Sequence, residues 1–176
     1  MSVLETDIKL LANILPHLPQ AIQSQILAVE EFRAETTLTV RRESLRQVIQ
    51  FLKTDPNFCF DVMMDLFAMD YLKYVPETPE RFAVVYYLVA LLQNRRIRIK
   101  VFLPEEDPTI ASIHDLYKAA NWFEREAWDL YGIKFEGHPN LVRILCHSEF
   151  EGHPLRKDYP SDRYQRLKTT TSSEGL

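Results

Sequence analysis

Apolar residues recur at helical spacing near the start of the chain, at i, i+4, i+7 and i+11: Leu4, Ile8, Leu11 and Leu15. This stripe predicts a first helix, which Pro16 and Pro19 end. Two short runs rich in β-branched residues, 26–32 and 36–40, flank a charged turn and predict a β-hairpin. The first part of the chain therefore combines a helix with paired strands.

The next segments show the same two spacings. A second amphipathic stripe predicts a helix from Leu45 to Leu52, which ends before the Asp-Pro pair at 55–56 because the residue preceding a proline resists the α conformation. The methionine-rich stretch that follows is ambiguous, since 66–71 fits a strand and 61–69 fits a helix equally well.

Two long segments form the centre of the predicted sheet. Segment 81–92 is apolar at consecutive positions, as expected of an interior strand, whereas apolar and basic residues alternate over 96–103. A turn at 93–94 makes them an antiparallel hairpin. The basic row of the second strand is typical of a solvated sheet face, with contact to an acidic partner as the alternative: Arg96, Arg98 and Lys100. The predicted class is α+β, with helices packed on a mixed or antiparallel sheet.

A further helix is predicted over 112–131. Ser112 and Asp115 fit an S-x-x-D capping box, and Gly132 occupies the position of a C′ glycine. On a helical projection Glu124 falls within the apolar wedge, where a charge needs an arginine or a backbone N–H as its partner. We expect Arg143 to be that arginine.

The opposite side of this helix carries polar residues and one large aromatic: Trp122, Arg125, Glu126 and Asp129. Tryptophan is enriched at the centres of protein interfaces, so Trp122 and Asp129 are predicted to face a partner protein.

The chain divides by composition into two parts. Residues 1–137 hold 15 basic and 20 acidic residues, whereas 138–176 hold 6 and 5. The second part lacks apolar periodicity and contains Pro139, Pro154 and Pro160, so we expect an extended docking tail that follows a globular α+β domain over 1–137. Its stretch 152–160 combines arginine, tyrosine and proline, residue types that suit a segment bound by a partner.

Composition also excludes several classes of protein. The 176 residues are 46% hydrophobic, which suits one globular domain with a core. A net charge of −4 disfavours a general nucleic-acid binder, and no apolar run approaches the ~20 residues that cross a bilayer. The start of the chain lacks a signal-peptide pattern, and Cys59 and Cys146 form no disulfide or zinc motif, so we expect a soluble chain in a reducing compartment.

No catalytic or cofactor motif stands out. Three histidines, at 138, 147 and 153, lie near Cys146 and several carboxylates, but their spacing matches no metal-binding motif. The four glycines are too dispersed for a phosphate-binding loop. Glu124 and Glu126 point to different sides of the predicted helix, which disfavours a cooperating acid-base pair. The sequence therefore predicts no catalytic residue and no metal or cofactor bound by this chain.

Four blocks of the sequence resemble a known family: ANWFEREAWDLYGI at 120–133, FEGHP at 135–139, RIL at 143–145 and EGHPLRKDYP at 151–160. Their order and spacing resemble those of the 30-kDa subunit family of respiratory complex I, which includes the C subunit of bacterial NADH-quinone oxidoreductase. The resemblance covers about residues 25–160 and departs from the family at 146–150. The family-motif and partner-contact candidates are Trp122, Glu124, Arg125, Glu126, Asp129, Gly132, His138, Arg143, Gly152, His153, Pro154, Arg156, Lys157, Asp158 and Tyr159.

The resemblance implies a non-catalytic structural subunit in the hydrophilic arm of a proton-translocating NADH:quinone oxidoreductase. FMN, iron–sulfur clusters and quinone would then belong to partner subunits. The implied partners are the 49-kDa-type subunit of the quinone pocket and the cluster-bearing neighbours, with no nucleic acid and no membrane-spanning segment in this chain. The implied location is peripheral, on the cytoplasmic side of a bacterial inner membrane or the matrix side of a mitochondrial one.

Two alternatives stay open from the sequence. A membrane-bound hydrogenase, or an oxidoreductase with another electron donor, would use a similar subunit. An independent small enzyme would use Glu124, Glu126 and a tail histidine.

Overall fold

The computed structural model of the protein describes residues 18–33, 35–73, 78–163 and 165. The elements in chain order are helix α1 (Gln20–Gln23), strands β1 (Ile26–Phe32) and β2 (Glu35–Val40), a 3-10 turn (Arg42–Ser44), helix α2 (Leu45–Thr54), strands β3 (Val62–Asp70), β4 (Phe82–Ala90), β5 (Arg95–Leu103) and β6 (Thr109–Ala111), helix α3 (Ala120–Tyr131) and strand β7 (Lys134–Glu136). The helix predicted over 4–15 lies outside the described residues.

Five strands form one mixed sheet in the order β1-β2-β5-β4-β3. The β1–β2 and β4–β5 hairpins are antiparallel, as predicted, and β2 runs parallel to β5. Strand β3 pairs with β4 in an antiparallel register from Val62 to Asp70, so the helical interpretation of 61–69 is wrong. The α+β class is confirmed.

The main core covers one face of this sheet. Residues paired across neighbouring strands share a face, which here carries Tyr86 opposite Ile99 and Leu88 opposite Ile97, all essentially buried. Helix α2 adds an apolar stripe with no exposed surface: Leu45, Val48, Ile49 and Leu52. On the other face Arg96 is exposed, whereas Arg98 and Lys100 are half-buried and Arg98 forms an ion pair with Glu35 of β2.

Helix α3 connects two short parallel strands, β6 and β7. It begins at Ala120, eight residues later than predicted, because tertiary partners occupy the residues of the expected capping box. Ser112 Oγ donates to Glu124 at 2.5 Å, and Asp115 accepts two bonds from Arg46 at 2.8 and 2.7 Å. At the other end, Gly132 adopts the left-handed conformation expected of a C′ glycine, with φ of 76°.

Candidate functional site

Glu124 belongs to helix α3, and its buried side chain has only neutral hydrogen-bond donors as partners within the described residues. Its two oxygens accept bonds from the Ser112 hydroxyl at 2.5 Å and the Ile113 N–H at 2.8 Å. Burial raises the pKa of Glu124 to about 7, against the lowering effect of those two bonds. A buried partner is confirmed, but the predicted partner Arg143 is wrong, because Arg143 binds Asp129 instead.

Asp129 is also fully buried, so the prediction that it faces a partner protein is wrong. One carboxylate oxygen accepts three consecutive backbone N–H groups, from Ile144 at 3.0 Å and from Leu145 and Cys146 at 2.9 Å. The other oxygen accepts from Arg143 at 2.5 Å. Burial alone would raise the pKa of Asp129, but the Cys146 N–H, Arg143 and the other two N–H donors lower it to about 2.

The C-terminal carbonyls of helix α3 are capped by the tail. The last carbonyls of a helix lack partners within the helix. Here the Asp129 carbonyl accepts from His153 Nδ1 at 2.9 Å, and the Leu130 carbonyl accepts from the Leu155 N–H at 3.0 Å. In its described residues the tail is a series of turns and bends instead of the extended segment predicted, and it lies on the domain of its own chain.

Arg156 completes this cap. Its Nε donates to the Tyr131 carbonyl at 2.6 Å. A Cβ at Gly132 would lie 2.6 Å from the His153 ring and 2.7 Å from the Arg156 guanidinium. Glycine at position 132 is therefore required both by its positive φ and by the closeness of the tail.

An ion-pair network joins the tail to the sheet. Arg81, with a 6% exposed side chain, bonds Asp70 at 3.0 Å, Asp158 at 2.7 Å and also Glu105. The Lys157 N–H donates to Asp70 at 2.8 Å. These contacts raise the pKa of Arg81, and although burial opposes ionisation of Asp70, the bonds from Arg81 and Lys157 lower its pKa.

Trp122 projects from the outer face of α3 with 64% of its surface exposed. The Arg125 guanidinium lies 5.6 Å from the centre of its indole ring. Arg125 also donates to the carbonyls of Val142 and Arg143, both at 3.0 Å. The tail therefore orients the arginine that contacts Trp122.

The remaining predicted residues fall into two groups. Glu126 and Lys157 are exposed. His138 is half-buried: its Nδ1 accepts from the Asn140 N–H and its Nε2 donates to the Asn121 carbonyl, both at 3.1 Å. Burial lowers the pKa of His138.

The end of the described tail is held by packing around Tyr159. Its ring stacks on Phe150 at 6.0 Å and lies 3.0 Å from where a Cβ would stand on Gly152, whose φ is 88°. The carbonyl of Gly152 accepts from Arg143 at 3.0 Å, and Pro154 is half-buried beside it. The motif residues 152–159 are thus bound to each other, to α3 and to the Asp70–Arg81 pair of the sheet.

The structure does not bring the acid-base candidates together. Glu124 is buried under α3, whereas Glu126 lies exposed on it. Within the described residues, no group of three His, Cys, Asp or Glu side chains is placed to hold a metal ion. No helix in that part of the chain is long and apolar enough to cross a membrane.

Sequence reasoning missed Asp70 and Arg81, and it assigned Ser112 to a helix cap instead of to Glu124. Asp70 and Arg81 flank the apolar strands β3 and β4, and Asp70 stands opposite Phe82 in the ladder. The signal that could have found them is a pair of opposite charges at the matched ends of two predicted strands.

The comparisons with known proteins agree on one family. Residues 38–165 match the family model described as "Respiratory-chain NADH dehydrogenase, 30 Kd subunit". The C subunit of the NADH-quinone oxidoreductase of Burkholderia ambifaria is 41% identical over 155 residues, covering 86% of this chain and 78% of that protein. The corresponding C subunit of Rhodobacter capsulatus is 39% identical over 158 residues, covering 90% and 77%.

Two solved structures share the fold. A trypsin-resistant fragment (1–134) of Nqo5 has a TM-score of 0.65 and 35% identity, covering 74% of this chain and 98% of the fragment. A chain of the membrane-bound sulfane sulfur reductase, an archaeal respiratory membrane complex, has a TM-score of 0.69 and 21% identity, covering 93% and 97%. The expected resemblance is confirmed, and the chain belongs to the 30-kDa subunit family of respiratory-chain NADH dehydrogenase.

Proposed function

We propose that this chain is a non-catalytic structural subunit in the hydrophilic arm of a proton-translocating NADH:quinone oxidoreductase. Its role is to dock neighbouring subunits, which carry the FMN, the iron–sulfur clusters and the quinone. The proposed neighbours are the 49-kDa-type subunit of the quinone pocket and the cluster-bearing subunits. The proposed location is peripheral, on the cytoplasmic side of the bacterial inner membrane, or on the matrix side if the chain is mitochondrial.

One observation carries this proposal. Helix α3 and the tail are fastened to each other by buried groups, while large apolar side chains on their outside stay exposed. Trp122 is 64% exposed, Leu145 63%, Leu155 47% and Val142 44%. A surface that is rigid before binding loses little conformational entropy when a partner covers it, and an exposed tryptophan is a frequent centre of binding energy.

We propose that the two parts of the chain on either side of the boundary at 137–138 have different roles. In this proposal a globular body over 1–137 precedes a docking tail over 138–176, and the described residues of the tail contact Asp129, Tyr131 and Arg81. The related Nqo5 fragment, trypsin-resistant over its residues 1–134, supports a body that is compact without the tail.

A pull-down tests the assembly directly. The tagged full chain is purified from detergent-solubilised membranes, partners are identified by mass spectrometry, and the eluate is assayed for NADH:quinone activity. Recovery of flavin- and cluster-bearing subunits with that activity is the expected result. Recovery of hydrogenase subunits would show that the chain belongs to an assembly with an electron donor other than NADH. Recovery of the chain alone would overturn the docking role.

The docking face is tested by Trp122→Ala. We expect partner recovery to fall by about tenfold or more, because truncating a central interface tryptophan typically removes a large share of the binding energy. The matched control is Leu92→Ala in the β4–β5 turn, where the leucine is 97% exposed. Equal recovery for the two variants, at equal melting temperature of the free chains, would show that Trp122 is not in the interface.

A further inference from the structure

Strand β3 is an apolar edge of the five-stranded sheet. Within the described residues it pairs with β4 alone, so its other side has backbone N–H and C=O groups without a strand partner. Three of its side chains are exposed at 56%, 39% and 36%: Met64, Phe67 and Met69. Edge strands of soluble proteins usually carry charges, prolines or bulges that prevent pairing with another chain.

These protective features occur only at the two ends of β3. Near its start, the register shifts between Met63 and Asp65, and the Asp65 carboxylate accepts the N–H of Leu66 at 2.8 Å. At its end, Asp70 belongs to the Arg81 network. Asp65 already holds the N–H of Leu66, whereas residues 67–69 have neither a bulge nor a charge, so 67–69 is the stretch open to another strand.

A groove of about 260 Å³ lies beside this stretch, between β3 and α3. We call it the edge groove. Apolar side chains form most of its lining, among them Phe67, Phe123, Leu130 and the tail residue Leu155. The charged residues that line it are Asp65 and Glu126, and no basic residue lines it within the described part of the chain.

We propose that the edge groove binds an extended, apolar segment of a neighbouring subunit that carries a lysine or arginine. The backbone of the segment pairs with β3 at 67–69, its apolar side chains fill the groove, and its cation lies by Asp65 and Glu126. A strand fits this surface better than a helix does, because only an extended backbone satisfies the free polar groups of a sheet edge. The lining also favours a positive charge on the segment, since its two charged residues are both carboxylates and attract a cation.

This inference rests on the proposed function, because it takes the partner to be a subunit of the same assembly. The groove is continuous with the docking tail through Leu155, so one neighbour could contact both surfaces.

Site-specific photo-crosslinking in the assembled complex tests the proposal. Phe67 is replaced by the photoreactive residue benzoylphenylalanine, and Leu92 receives the same replacement as an exposed control. We expect Phe67 to crosslink to a segment of another subunit that is apolar and contains a lysine or arginine, with little crosslinking from Leu92. Crosslinks only within this chain, only to a segment without a basic residue, or no more frequent at Phe67 than at Leu92 would overturn it.

A charge reversal gives a second readout. Glu126→Lys should reduce recovery of the partner by about tenfold or more, whereas Glu106→Lys, which makes the same change at an exposed site outside the groove, should not. Equal recovery for both variants would exclude Glu126 from the contact. If the unmodified chain recovers the assembly but Phe67 gives no partner crosslink, the edge-groove proposal alone fails. If it recovers no subunits, the proposed function fails first.

Discussion

The carboxylate of Asp129 and the guanidinium of Arg143 form a 2.5 Å ion pair that joins helix α3 to the start of the tail. The Asp129 side chain is fully buried, and that of Arg143 is 15% exposed. Arg143 also donates to the Gly152 carbonyl at 3.0 Å, so a single guanidinium links the helix to two points of the tail. The course of the tail is therefore fixed by an aspartate whose side chain is fully buried.

Replacing Asp129 with Asn should destabilise the chain by about 3 kcal/mol or more, because it leaves the half-buried Arg143 without its counter-charge. Urea unfolding of the full chain measures the effect. The matched control is Glu126→Gln, which removes a carboxylate from an exposed site on the same helix and should change stability little.

The stabilisation that Asp129 provides should decrease at acidic pH. The pKa of Asp129 is about 2 in the folded chain and 3.8 by default, so its stabilising contribution is present above pH 3.8 and is lost as the pH falls through 2. The difference in free energy of unfolding between the parent chain and Asp129→Asn should therefore become smaller as the pH is lowered. A difference that stays constant from pH 5 to about pH 2 would contradict the assigned role.

Glu124 should show the opposite pH dependence. Burial raises its pKa from 4.5 to about 7, so the folded chain binds the proton more tightly than the unfolded chain does. The favourable contribution is present below pH 4.5 and is lost as the pH rises through 7. Glu124→Gln keeps a neutral side chain at all pH values. Between pH 4.5 and 7 its free energy of unfolding should therefore rise relative to that of the parent chain by on the order of 3 kcal/mol.

Unfolding free energies of the two chains at several pH values provide the measurement. Other groups titrate equally in both chains and cancel in the difference. A difference that does not change with pH would mean that Glu124 is not buried as a neutral acid beside Ser112.

Two glycines separate the effect of backbone strain from the effect of tail packing. Gly132 and Gly137 have nearly the same φ, 76° and 78°, but a Cβ would meet His153 and Arg156 only at position 132. Both contacting side chains bond to helix carbonyls, so they cannot move away without losing those bonds.

Gly132→Ala should therefore cost about 2 kcal/mol more than Gly137→Ala, the range typical of an overpacked contact. It should also expose the tail to trypsin, which limited proteolysis followed by mass spectrometry detects. Equal losses of stability in the two variants would mean that the tail does not lie against position 132.

Local pattern was sufficient for most of the sheet and for helix α2. The alternation in β5 and the continuous apolar run of β4 report which faces are covered, and pairing between sequence neighbours needs no distant information. The start of α3 could not be predicted in this way, because Ser112 and Asp115 bond to Glu124 and Arg46 instead of capping the helix.

The site itself was harder to predict, for a physical reason. A helical projection assumes one buried face, and on that assumption Asp129 points to solvent. The tail creates a second covered face at the C-terminal end of α3, where Asp129 meets three backbone N–H groups. Contacts of this kind join residues far apart in sequence, and periodicity contains no signal for them.

Arg81 gives the test that connects the tail to the sheet. Its side chain is 6% exposed and bonds Asp70, which is buried, and Asp158 of the tail. Arg81→Met should cost about 3 kcal/mol, because it leaves the Asp70 carboxylate buried without its main cation, and it should increase tryptic cleavage of the tail.

The control is Arg163→Met, which removes an exposed ion pair with Glu151. The two side chains are 42% and 77% exposed, so the variant should cost ~0.5 kcal/mol or less. In 1 M salt the screening length is about 3 Å, so exposed charges barely interact. The loss of unfolding free energy in Arg81→Met should persist under these conditions, whereas the loss in Arg163→Met should vanish. If both variants lose the same stability and both losses disappear in salt, Arg81 contributes no more than an exposed surface ion pair does, and its contact with Asp158 does not hold the tail on the sheet.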